Sequence, residues 1–84
     1  MVEINYEQLV SELIKPLTTH PEDVKVTDTP NGHLHHVVVE VHADDLGRVI
    51  GRKGRVANAI RTIAYAAAMR NKENLEVEFI SDNE

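Results

Sequence analysis

Gly51-Arg52-Lys53-Gly54 places two cations between two glycines, with Arg48 and Arg55 on either side. Glycine has no Cβ, so a chain with glycine at both ends of a tight turn can lay its backbone against a phosphate. The cations add charge at the point of contact. This spacing suits the gripping of a phosphodiester backbone. Its plain structural reading is a connector between two helices with a glycine C-cap.

Charge distribution by itself fits an ordinary solvated helix face, and joined to the Gly-x-x-Gly it favours the phosphate reading. The chain is acidic, with a formal net charge of −5. Residues 43–70 hold six cations (Arg48, Arg52, Lys53, Arg55, Arg61, Arg70) and two acids (Asp44, Asp45), which is +4. The remainder holds three cations and twelve acids, which is −9. A positive patch on an acidic body is an electrostatic footprint that net charge hides. Arg61 and Arg70 read as solvated helix-face residues.

Other chemistries fare worse. There is no cysteine, hence no thiolate metal site and no disulfide framework, as in a reducing compartment. His33, His35, His36 and His42 crowd one stretch. Strand alternation would set His33 and His35 on one face and His36 and His42 on the other. Metal ligands must converge, so no metal is expected. The G-x-x-x-x-G-K-[ST] phosphate loop is absent, and G-x-G-x-x-G fails because position 49 is valine. No Ser-His-Asp or Cys-His set is plausible. No catalysis and no cofactor are expected.

The loop needs elements to hold it. With 84 residues the chain makes one small domain over 1–84, burying roughly 60% of its unfolded surface. No apolar run approaches the ~20 residues that span a bilayer. No secretory signal is recognisable, so the chain reads as cytoplasmic.

Asn5 is set to cap a helix, with Gln8 placed for a capping box and apolar residues recurring from Tyr6 to Leu17. Pro16 ends or kinks that helix. Val24–Asp28 alternates as a short strand. Thr29-Pro30-Asn31-Gly32 reads as a type I turn with a bulge. His33–Val41 is a longer strand with Val37, Val39 and Val41 on one face.

A short helix follows over 44–50, with acids at its start and Leu46, Val49 and Ile50 on one face. After the glycine loop comes a helix over 55–70, with Val56, Ile60, Ile63 and Ala67 as its core stripe. Leu75–Ile80 alternates as a last strand, and residues 81–84 read as a frayed tail. The order is α-β-β-α-α-β.

Two helices joined by Gly-x-x-Gly, preceded by Val49-Ile50 and flanked by strands, resemble the K-homology (KH) domain. The element order is similar to its type II, bacterial form: an α+β fold with a three-stranded sheet packed against helices. The resemblance covers nearly the whole chain and is densest over residues 45–55. Its size brings it nearest to small bacterial single-KH RNA-binding proteins of the KhpA type.

The resemblance implies single-stranded RNA, about four nucleotides of it clamped at the loop. Gly51, Arg52, Lys53 and Gly54 would follow the backbone, with Arg48 and Arg55 beside them. Val49 and Ile50 would line an aliphatic groove for the bases, whose edges would be read from 33–41. If that strand faces RNA, its histidines strengthen binding in mild acid.

It implies RNA-chaperone or post-transcriptional work linked to cell elongation or division. It also implies a homodimer, or pairing with a larger KH protein of the KhpB (Jag) type. Ala64, Tyr65, Ala68 and Met69 extend apolar surface around the long helix and are the expected dimer contact. The rival reading is an interaction module for which RNA is secondary.

Overall fold

The computed structural model describes residues 4–82. Its elements are α1 (Tyr6–Ile14), β1 (Lys25–Asn31), β2 (Leu34–Val41), α2 (Ala43–Ile50), α3 (Arg55–Arg70) and β3 (Asn74–Ser81). Short 3-10 turns at Lys15–Leu17, Pro21–Asp23 and Arg52–Gly54 connect them. The sheet order is β1-β2-β3, antiparallel between β1 and β2 and parallel between β2 and β3.

Local chemistry explains the start. The Asn5 side chain accepts from the Gln8 amide at 3.0 Å. The capping box does not close, because the Gln8 side chain turns to Glu12 instead. Pro16 falls inside the turn that ends α1, where its missing N–H costs no helical bond.

The hairpin differs from expectation. Its turn lies at Gly32-His33, with Asn31 paired to Leu34, and not at Thr29–Gly32. Pro30 sits within β1, opposite His35. β1 is an edge strand, where proline's missing donor breaks no ladder. Gly32 supplies the positive φ of 66° that a two-residue hairpin needs at its first central position. At the other end, Ser81 still belongs to β3 and the Asp82 amide donates to the Val41 carbonyl at 2.8 Å. Residues 83–84 of the expected tail lie outside the described residues.

The inner row of the sheet carries the core. Val37, Val39 and Val41 have no exposed surface, and Tyr6, Val10, Ile14 and Val49 close over them. Each such valine contributes roughly 1.5–3 kcal/mol relative to exposure. The face of α3 is rotated from the expected stripe. Ala57, Ile60, Ala64 and Ala68 are buried, whereas Ile63 is 47% exposed and Val56 and Ala67 are half-buried. Alanines bring this helix close to the sheet, where bulkier side chains would hold it off.

A polar clamp ties four elements. His35 points to the helix side of β2. One of its ring nitrogens lies 2.8 Å from Asp28 on β1, and the other lies 3.0 Å from Glu73 after α3. The Tyr6 hydroxyl of α1 donates to the other Glu73 oxygen at 2.6 Å. Burial pushes the imidazole pKa down, but the two carboxylates outweigh it and hold it above 6.5. Hydrogen bonds from Tyr6 and then His35 hold Glu73 below 4.5. Burial, then Glu73, push Tyr6 up to about 12.

The signs predict a pH dependence. The His35 contribution is complete below its unfolded value and is lost as pH rises through its raised folded value. The Glu73 contribution is complete above its unfolded value and is lost as pH falls. Thermal melts should therefore peak in mildly acidic buffer, and His35→Gln should flatten the alkaline limb. A wild-type limb that His35→Gln leaves unchanged would exclude the clamp as its cause.

Candidate nucleic-acid interface

The loop between α2 and α3 is built from three residues with positive φ. Gly51 (φ 77°, ψ 173°) ends α2 and returns its amide to the Gly47 carbonyl at 2.9 Å. Lys53 (φ 57°) and Gly54 (φ 74°) are both left-handed, and the Gly54 amide closes on the Gly51 carbonyl at 3.1 Å. Lys53 is unusual, since few residues other than glycine hold this conformation. The turn keeps the side chains of Arg52, Lys53 and Arg55 exposed.

Gly54 is the N-cap of α3 and brings no side-chain cap. The first-turn N–H groups of a helix have no intrahelical partner. They form a patch of positive potential beside Arg52 and Lys53. Gly51 has a second role. A Cβ there would meet Val56 Cβ at 2.8 Å and the Val56 backbone nitrogen at 2.9 Å, so the two helices meet through its bare backbone.

Of the residues expected at an interface, the structure brings Gly51, Arg52, Lys53, Gly54 and Arg55 together. The Arg48 side chain is 63% exposed one turn before them. Val49 does not line a groove: it has no exposed surface and belongs to the core. Ile50 and Leu46 are half-buried at its edge. The neighbouring strand also differs. β2 is the middle strand, paired on both sides, while α2 and α3 both pack on β3, an edge strand. The helices that carry the loop therefore rest on β3 and not on the strand 33–41 expected beside them.

The histidines scatter. His33 sits in the hairpin turn, His35 in the clamp, and His36 on the open sheet face 3.1 Å from Glu78. His42 follows β2, and its Nδ1 accepts the Asp44 amide at 3.0 Å as the cap of α2. His20 stacks on it at 3.9 Å with planes 10° apart. Ligand atoms of His20, His42 and Asp44 lie within 4.8 Å of one another. His42 Nδ1 is already engaged by the Asp44 amide.

Asp45 was legible only as a helix-start acid, yet it has no exposed surface. It accepts from the Thr19 amide (2.9 Å), the Thr19 hydroxyl (2.8 Å) and the His20 amide (2.9 Å). Burial raises its pKa, but these bonds outweigh it and hold the carboxyl down to about 2. Asp45 thus fastens the segment after α1 to α2, and so fixes the helix that ends in the loop. Its partners lie about 25 residues away in sequence, so no local pattern reveals it.

On α3, Ala64 and Ala68 face the chain's own core. Tyr65 (38% exposed) and Met69 (73% exposed) remain on the surface. They line a cavity of about 260 Å³ with Ala68, Glu73, Asn74 and Leu75. No helix among the described residues is long and apolar enough to cross a membrane.

Residues 7–79 match the family described as KhpA/KhpB, KH domain. A protein named RNA-binding protein KhpA from Halalkalibacterium halodurans is 42% identical over 72 residues, which is 86% of this chain and 95% of that one. The Bacillus subtilis protein of the same name is 33% identical over 78 residues, covering 93% and 96%. Among solved structures, Aquifex aeolicus Era bound to GDP and aluminium fluoride matches with a TM-score of 0.60 at 17% identity. That match covers 95% of this chain and 32% of Era. The likeness to Era is one of fold.

Proposed function

This chain belongs to the KhpA/KhpB KH-domain family, and from that premise we propose that it binds single-stranded RNA at the 51–54 loop. Its relatives are named for RNA binding and not for a catalysed reaction. The observation that carries the reading is the uncapped start of α3 beside two exposed cations on a left-handed turn. Phosphates meet Arg52, Lys53 and the first-turn amides. Arg48 and Arg55 add long-range attraction, and the bases lie over Leu46 and Ile50 toward β3. The acidic remainder of the molecule repels the strand elsewhere and keeps it on this face. We place this activity in the cytoplasm, as RNA-chaperone or post-transcriptional work.

Salt and strandedness test it. About two to four neutralised phosphates on a single strand give a log–log salt slope of roughly −1.5 to −3. Single-stranded RNA should bind more tightly than duplex DNA, whose paired bases cannot turn into the groove. Tighter duplex binding, or an affinity indifferent to salt, would overturn the assignment.

The exposed Tyr65 and Met69 favour a second activity, pairing with another copy or with a KhpB-type protein. Aromatic residues and methionine are enriched at interfaces. Pairing would join two weak RNA sites and raise the effective affinity for longer strands. Tyr65→Glu should give a folded monomer by light scattering with weaker binding to long RNA. A wild-type chain that is monomeric and also binds no KhpB-type protein would remove this activity.

A further inference from the structure

Arg61 does not behave as the solvated cation its sequence position suggests. It is half-buried across the edge strand. Its Nε–H donates to the Val77 carbonyl on β3 at 3.2 Å, and Nη1 donates to Asn58 Oδ1 at 3.2 Å. Its guanidinium carbon stands 5.1 Å from the centroid of the Phe79 ring. The group is thus held by backbone, side chain and ring together, before any ligand arrives.

A guanidinium carries five N–H donors in one plane. Two are used here, which leaves one on Nη1 and two on Nη2. Arg61 is seven residues past Gly54 on the same helix, about 10 Å along its axis at 1.5 Å per residue. A four-nucleotide strand gripped at the loop and turned toward β3 reaches that distance.

We infer that Arg61 is a base-specificity residue, whose free guanidinium donors take the O6 and N7 acceptors of a guanine laid over the edge of β3. This rests on the RNA-binding reading above. Guanine offers two adjacent acceptors to a planar fork, whereas adenine offers one acceptor beside a donor on that edge. A fork already fixed by Val77, Asn58 and Phe79 loses little further freedom on binding. The loop and its cations already serve the phosphates, and Arg61 stands off from them on the side of the bases.

The test uses fluorescence anisotropy of the full chain with octamers of uridine, unaltered or carrying one guanine or one adenine at each position in turn. The wild-type chain should favour the best-placed guanine by about 10-fold over all-uridine. Arg61→Ala should reduce that preference to within about twofold and change all-uridine binding little.

Arg61→Lys keeps the charge and the stem but loses the fork, and should lose the preference as well. It also covers the case in which the alanine variant fails to fold, with circular dichroism as the check. Phe79→Leu should weaken the preference in part. A guanine preference that survives in folded Arg61→Lys, or an equal loss toward all octamers, overturns the inference. A wild-type chain that binds all octamers equally also overturns it, while leaving RNA binding in place. One that binds none overturns both.

Discussion

Gly51→Ala should lower the melting temperature by roughly 12–25 °C, while Gly54→Ala costs roughly 4–16 °C, taking about 4–8 °C per kcal/mol for a domain this size. The two glycines bracket one loop and both have positive φ, but their surroundings differ. Gly51 at φ 77°, ψ 173° occupies a region essentially reserved for glycine, and strain there costs about 1–3 kcal/mol. An added Cβ also meets Val56 Cβ at 2.8 Å and its backbone nitrogen at 2.9 Å. Backbone cannot rotate away, so α2 and α3 must separate where they join. The total is about 3 kcal/mol or more.

Gly54 at φ 74°, ψ 15° is ordinary left-handed backbone with nothing within 4 Å of an added Cβ. Its cost is the conformational term alone, about 1–2 kcal/mol. Pairing Gly51→Ala with Val56→Ala should recover only part of the loss, since the backbone nitrogen stays in place. Equal melting of the two single variants would show that the helix contact at Gly51 carries no stability.

Reversing both loop charges, Arg52→Asp with Lys53→Asp, should weaken RNA binding by about 100-fold or more at 0.1 M salt, since four units of charge change at the phosphate contact. The fold should survive, for reasons particular to these positions. Both side chains are exposed. Aspartate is among the few residues at ease in the left-handed conformation that Lys53 holds at φ 57°. Position 52 lies beside the start of α3, where the helix dipole favours a negative charge. Melting should therefore move by no more than about 5 °C. Gel shifts and thermal melts on the same preparation separate the two effects. A folded double variant with unchanged RNA affinity would sink the loop assignment.

The element order was legible because each segment carries its own period. The 3.6-residue rhythm from Tyr6, the alternating valines of 37–41 and the Gly-x-x-Gly break are local facts, and local hydrogen bonding answers to them. The loop was legible because glycine and charge are needed there whatever surrounds them. Its resemblance to a KH motif pointed to the family whose match spans residues 7–79.

Other features needed the assembled chain. The rotation of α3 was decided by how close a helix can lie to the sheet. Ala57, Ala64 and Ala68 therefore went inward and Ile63 stayed half out. The hairpin turn moved past Pro30 because β1 became an edge strand. Sheet order left β3 at an edge, against both helices that carry the loop. Asp45 could be buried only because Thr19 and His20 arrive from elsewhere to satisfy it. Arg61 found its place only once Val77 and Phe79 came alongside. Periodicity specifies which residues share a face of an element. Which face turns inward, and which distant polar groups meet there, follows from packing all the elements at once.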